Sequence, residues 1–246
     1  LATDGDDDAQ ESQYPESMGI ETFVTNRALQ IEEKLKGVKK ISKGLFKEVK
    51  YDLFYHPNSY QITVFHKWLA QQQSVDLSQI ELGALDALRS WNLSTHQDNH
   101  EAAIAVLTMA PIQKANGKPV EMHKITQAFK KAVAVLVKYH GSYTPPYGDV
   151  YRLKRGEMNL RMSGGPDILR AVYGQEMDQN GQSGNIASDG FMMFVSWDKN
   201  GVVQSDAIHQ YGSATKDSKS VHYNDQMEMF VAQQERRVLF QRAELE

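Results

Sequence analysis

Through most of the first 140 positions, apolar residues recur at three- and four-residue steps, the spacing of amphipathic helices. The strongest case runs from about Glu121 to His140. There Met122, Ile125, Phe129, Val133, Leu136 and Val137 form one apolar stripe, and Gly141 supplies a C-terminal stop. Helical spacing or helix-favouring composition also predicts helices over Asn26–Leu35, Lys43–Leu53, Ser59–Gln72, Leu82–Arg89 and His96–Met109. Ser42 is the expected N-cap of the second, and Pro57 separates the second from the third.

Beyond Tyr143-Thr144-Pro145-Pro146-Tyr147-Gly148, a punctuated linker, the pattern changes to strand and loop. Phe191 to Trp197 and Val202 to Ile208 flank Asp198-Lys199-Asn200-Gly201, which predicts a hairpin around an Asn-Gly turn. A last helix is expected over Asn224 to Phe240. The chain therefore reads as α+β: an acidic loop or tail at 1–18, a mostly helical subdomain at 19–142, and a strand-rich part at 143–246. No internal repeat is visible.

Composition narrows the function classes. The 246 residues carry 27 Lys plus Arg against 31 Asp plus Glu, a net charge of −4, which argues against a nucleic-acid binder. With 41% hydrophobic residues there is enough apolar material for a core. Cysteine is absent, which removes disulfides, thiolate metal sites and thiol nucleophiles together, and is compatible with an oxidising compartment. The longest mostly apolar runs, Ala102 to Ile112 and Ala132 to Val137, fall short of the ~20 residues that span a bilayer. No signal-like segment opens the sequence.

Charge is unevenly spread. Residues 1–18 hold six acids and no base, a solvated stretch or, as the sharper alternative, a cation site without the spacing of an EF-hand loop. Residues 34–50 hold seven lysines against Glu48. With Ile41, Leu45, Phe46 and Val49 at helical steps, they read as a solvated helix face rather than a patch for an anionic partner.

The common catalytic signatures are missing: no phosphate-binding Gly-Lys loop, no His-Glu-x-x-His, no Gly-x-Ser-x-Gly. Ser163-Gly164-Gly165-Pro166-Asp167 is accounted for as a turn. His96 and His100, four apart, would share one face of the helix predicted there, but two ligands are short of a zinc site, and Ser94 as a cap gives a structural explanation. His209, His222, Tyr223, Asp225 and Gln226 cluster late, with a polar network locking the last helix to a sheet as the favoured reading.

Several stretches together resemble one family. Tyr14-Pro15-Glu16-Ser17 and Thr25-Asn26-Arg27-Ala28 stand near the start. Gly148-Asp149-Val150-Tyr151-Arg152-Leu153-Lys154-Arg155-Gly156 and Gly164-Gly165-Pro166-Asp167-Ile168-Leu169-Arg170-Ala171 follow. Ser205, His209-Gln210-Tyr211-Gly212 and His222-Tyr223-Asn224-Asp225-Gln226 come late. Their order is similar to the C-terminal half of the β chain in the penicillin acylase family of N-terminal nucleophile hydrolases, over almost the whole length.

The resemblance implies a four-layer αββα core completed by an α chain and the N-terminal part of the β chain, from one self-cleaving precursor. It implies hydrolysis of an N-acyl amide by an N-terminal Ser whose α-amine is the base, in a periplasmic or secreted enzyme. On this likeness the nucleophile and the oxyanion Asn lie outside this chain, since Leu1 has no hydroxyl or thiol. The polypeptide alone would then be inactive. Arg27 matches the arginine that braces the catalytic centre and is the single catalytic candidate here.

Met18 stands where penicillin-processing members carry a calcium-ligating carboxylate, and a thioether is a poor ligand for a hard cation. Either calcium is absent or it is held elsewhere, by the upstream Asp cluster or by other segments; no cofactor is otherwise expected. Arg152-Leu153-Lys154-Arg155-Gly156 followed by Gly-Gly-Pro-Asp resembles the branch acting on acyl-homoserine lactones and acylated lipopeptides, with β-lactam acylase as runner-up. The alternative from another class is a non-catalytic helical binding or scaffold module.

Overall fold

A computed structural model describes Met18, residues 24–73 and residues 77–245; the acidic stretch 1–17 lies outside the described residues. Helices α1 (Asn26–Leu35), α2 (Lys43–Lys50), α3 (Tyr60–Ala70) and α4 (Gln79–Ser90) are started by Thr25, Ser42, Ser59 and Ser78. Each hydroxyl accepts a first-turn N–H that would otherwise have no partner, and Ser78 with Glu81 forms a reciprocal capping box. Helices α5 (Ala102–Thr108) and α6 (Ala110–Ala115) meet at Met109, and Asn116 ends α6 in a left-handed conformation. Helix α7 (Met122–His140) follows the expected stripe closely and stops at Gly141, φ +69°. A short α8 (Tyr147–Val150) leads into the strands.

The helical body packs around one large core. Ile62, Phe65, Trp68, Leu85, Ile104, Phe129 and Leu136 are all buried, and the Trp68 indole N–H donates to the Thr126 hydroxyl at 2.9 Å. Strands β1 (Tyr151–Arg155), β2 (Met158–Arg161), β3 (Val172–Gly174) and β4 (Ser183–Ser188) form a mixed sheet in the order β2-β1-β4-β3, with β1 and β4 parallel. The expected hairpin is present as β5 (Phe191–Trp197) and β6 (Val203–His209). With β7 (Arg236–Arg237) it makes a second, antiparallel sheet. A smaller core of Leu153, Met162, Val172, Met192, Ile208, Met227 and Phe230 lies between these sheets and α9 (Met227–Val231).

Three expectations are corrected. The helix read over His96–Met109 starts at Ala102, because Asn99 takes the N–H groups of Glu101 and Ala102 onto its side chain and Ser94 makes a local turn to His96 instead of a cap. The helix read over Asn224–Phe240 is the single stretch α9, cut short where Gln233 turns to φ +58° and the chain enters β7. The lysines of 34–50 are not simply a solvated face. Lys43 pairs with Asp206 (2.6 Å), Lys47 with Glu235 (2.5 Å) and Lys50 with Asp189 (2.8 Å), all on the strand-rich side. Phe46 meets Phe194 edge-on at 5.7 Å in the same seam.

Candidate functional site

The first turn of α1 and the Gly164–Asp167 loop, far apart in sequence, meet in space. Thr25 caps α1, so the Asn26 N–H is one of the helix-start donors without an intrahelical partner. It donates to Asp167 Oδ2 at 3.1 Å, and Gln61 Nε2 of α3 donates to the same oxygen at 2.6 Å. Arg27 Nε stands 3.3 Å from Asp167 Oδ1, with the Arg27 side chain about 26% and that of Asp167 about 14% exposed. A carboxylate at the positive end of a helix, under a guanidinium, is electrostatically well placed. Burial nevertheless outweighs these contacts and leaves the Asp167 carboxyl above its ordinary range, while the Asn26 N–H, Arg27 and Gln61 pull it down.

The loop that carries Asp167 is held from several sides. Gly164 has φ +115°, and a Cβ there would lie 2.6 Å from the Arg170 carbonyl, so only glycine fits. The Tyr147 hydroxyl donates to the Gly164 carbonyl at 2.6 Å and the Tyr55 hydroxyl to the Pro166 carbonyl at 2.7 Å. Burial raises the pKa of both phenols well above the usual value, so both remain neutral donors. Asp167 itself takes φ +56°, a left-handed geometry that Asp tolerates. Beneath the loop, the buried Arg170 guanidinium donates to the Phe230 carbonyl at 2.8 Å and lies 4.2 Å over the Phe230 ring, tying the loop to α9. On the α1 side, Asn26 Oδ1 accepts the His56 N–H at 2.6 Å and Gln30 Nε2 donates to the Phe54 carbonyl. Asn26 and Gln30 are therefore packed side chains that fix the α1 start against segment 54–56.

Of the candidates named from sequence, Arg27 lies in this constellation. The turn reading of Ser163–Asp167 accounts for the backbone but not for the carboxylate aimed at Arg27. Asp167, Gln61 and Asn26 are the partners that spacing alone does not reveal, because each comes from a different element. The signal available was that Thr25-Asn26-Arg27 and Gly164-Gly165-Pro166-Asp167 belonged to one resemblance.

The other clusters are structural or dispersed. His96 and His100 do not share a helix face: His100 Nδ1 sits 2.9 Å from the Thr144 carbonyl and His96 faces Asp98. His222 Nδ1 lies 3.0 Å from Asp225 Oδ2 in an exposed pair, and Gln226 Oε1 accepts the His209 N–H, joining the start of α9 to β6. Among the described residues no group of three His, Asp or Glu side chains could hold a metal ion, and Met18 offers a soft sulfur. Among the described residues no donor set fits calcium, and the upstream Asp cluster lies outside them.

Residues 6–246 match the family model described as Penicillin amidase. No curated protein matches the chain.

Proposed function

We propose a function on one premise: the chain belongs to the penicillin amidase family, whose members are acylase-like hydrolases. The reading is that it forms the C-terminal portion of the β chain of an N-acyl amide hydrolase, in which Arg27 braces a catalytic centre whose Ser nucleophile is supplied from outside this sequence. An N-terminal Ser attacks the amide carbonyl carbon, its proton passes by way of the α-amine to the leaving amine, and water then releases the acyl group as a carboxylate. An oxyanion forms in each half of that sequence and must be met by donors that do not reorganise. The task assigned to this chain is to hold a permanently charged, planar donor group in one orientation.

The observation that carries the reading is the convergence of Arg27, Asn26, Gln61 and Asp167 from α1, α3 and the glycine loop on one partly buried ion pair.

A second observation supports assembly with further segments. Phe191, Met193, Val195 and Trp197, the outward face of β5, are 42–67% exposed while Met192 and Phe194 on the other face are buried. An apolar sheet face of this kind suits a covering layer, as the αββα architecture would provide with the α chain and the N-terminal part of the β chain. A periplasmic or secreted location and self-cleavage of a precursor belong to the same proposal. Acyl-homoserine lactones and acylated lipopeptides are its first substrate classes, ahead of β-lactams.

The test is Arg27→Lys in the enzyme produced from its full-length gene, assayed with a chromogenic acyl amide. Lysine keeps the charge and loses the fork, so kcat/KM should fall on the order of 10²-fold, about 2.7 kcal/mol of transition-state stabilisation. The melting temperature should barely move, since a partly exposed pair is worth no more than ~1 kcal/mol. An unchanged kcat/KM removes Arg27 from the site, and a parallel collapse of the melting temperature makes it structural. The isolated 246-residue chain should show no turnover above a heat-killed control.

A further inference from the structure

A cavity of about 730 Å³ opens between α5, α6, α7 and the β3–β4 side of the mixed sheet. Its volume falls within the range of small-molecule sites. Val106, Leu107, Ala128, Ala132 and Val135 give it an apolar floor and wall. Its cations are Lys114, Lys124 and Lys131, against Glu176 as the one acid of the wall. Lys124 is paired with Glu121 at 2.9 Å, whereas Lys114 and Lys131 have no ion-pair partner among the described residues. The local balance is therefore positive on a chain whose net charge is −4.

One polar group in the wall is unspent. Tyr151 is 6% exposed, its ring stacks on Tyr147 with centroids 4.4 Å apart, and its hydroxyl makes no hydrogen bond among the described residues. The hydroxyl oxygen is not sealed from solvent, so its O–H can donate to a ligand oxygen in the cavity. Apolar walls, two unpaired ammonium groups and one waiting O–H donor together define a complementary molecule.

We propose that this cavity binds a long-chain carboxylate, a fatty-acid anion, with its chain over the α5–α7 wall and its head group within reach of Lys114, Lys131 and the Tyr151 hydroxyl. The site does not rest on the amide hydrolysis proposed above. A free acyl carboxylate is nonetheless the chemical class of one product of that reaction. Pro166, in the cavity wall, adjoins Asp167, so occupancy would be felt by the loop that orients Arg27.

The experiment titrates the assembled full-length enzyme with 11-dansylaminoundecanoate, and in parallel with dansylated undecylamine, which keeps the chain and lacks the carboxylate. Saturable binding of one carboxylate probe per chain, at least about tenfold tighter than the neutral probe, is expected. Ala128→Trp fills the cavity and should abolish binding. Lys114→Glu with Lys131→Glu, both on exposed side chains, should weaken the carboxylate probe by about tenfold or more and leave the neutral probe unchanged. Tyr151→Phe should weaken the carboxylate probe without lowering the melting temperature, because the hydroxyl it removes makes no hydrogen bond to the protein among the described residues. No saturable binding, as when another segment of the enzyme already fills the cavity, overturns the proposal. So does equal affinity for the two probes, or binding indifferent to the lysine reversal. These readouts use no substrate, so an inactive preparation that binds the probe separates failure of the amidase reading from failure of this one.

Discussion

The helical body and the strand-rich half solve the problem of burial differently. Around α3, α4, α5 and α7 the large side chains Ile62, Phe65, Trp68, Leu85, Leu88 and Phe129 are at or below 2% exposure, and Trp68 stacks on Phe65 and meets Phe129 at a tilt. The strand-rich half has the smaller core and leaves one face of β5 in the open. It is fastened to α2 largely by charge, through Lys43, Lys47 and Lys50, with Phe46 against Phe194 as the main aromatic contact in the seam. Non-directional burial holds the first half together. Directed ion pairs locate the second half but contribute little net free energy when partly exposed. The Arg27–Asp167 site lies where these two styles meet, with a helix start on one side and a glycine loop on the other.

The largest expected effect tests whether the helical body carries the stability. Trp68→Ala removes a fully buried ring and its hydrogen bond to Thr126, and should cost about 3–5 kcal/mol. Met192→Ala in the smaller core leaves a gap beside an exposed sheet face that can relax, and should cost about 2 kcal/mol, the low end for such truncations. Urea unfolding of the two variants measures the difference. Equal losses would show that the two cores are energetically alike.

A medium effect sharpens the role of the junction through pH. Burial lifts the Asp167 carboxyl above its ordinary range, so as the medium is acidified it takes up a proton earlier than a free Asp would. The protonated acid no longer balances the Arg27 charge, and kcat/KM should fall on this acid limb. Stability moves the other way. A raised folded-state pKa means that the native protein binds the proton more readily than the unfolded chain, so this group favours folding below its unfolded pKa and that contribution is lost as pH rises through the folded pKa. Activity falling with acid, at pH values where the melting temperature does not fall with it, marks Asp167 as an orienting group. A kcat/KM profile of Asp167→Asn that keeps the acid limb of the wild type would remove it from that role.

Legibility in the sequence followed the same division. Helix α1 coincides with its expected span, the α7 stripe was plain, and Ser42 caps α2, because such signals are local and repeat over several turns. Hydrophobic spacing misplaces the α5 start because Asn99 competes for the first N–H groups, a preference that spacing does not register. Helix α6, only six residues long with Pro111 in its first turn, gave no period to detect. Strands β1 and β2 do alternate, as Tyr151-Arg152-Leu153-Lys154 and Met158-Asn159-Leu160-Arg161, but runs of five and four residues are too short for the period to stand out. Arg27 stands out in the sequence through the family resemblance alone. Its partner Asp167 was hidden because the glycines around it already explained a turn, and only tertiary structure shows which way the carboxylate points.

The smallest effect concerns the seam. Lys47 donates to Glu235, whose side chain is 6% exposed, and lies 5.1 Å over the Phe194 ring. Its pKa is held above 10.5: desolvation lowers it, and the hydrogen bond and charge of Glu235, together with Asp206, more than offset that. A raised folded-state pKa contributes stability that is fully present below pH 10.5 and disappears as pH rises through the folded value. Asp206 runs oppositely: its hydrogen bond to Lys43 is the main cause that depresses its pKa below 3.8. Its contribution is therefore present above pH 3.8 and lost as acid passes the folded value. Lys47→Met leaves the nearly buried Glu235 with the Tyr51 hydroxyl as its remaining donor and should lower stability near neutrality by about 1–2 kcal/mol. The gap to wild type should narrow above pH 10.5, where the wild-type lysine gives up its proton. Asp206→Asn should show its own gap closing in acid instead. Melting curves of both variants across pH therefore weigh the seam directly. A gap that stays constant over the whole range would mean that packing of Phe46 on Phe194, and not charge, joins the strand-rich half to the helices.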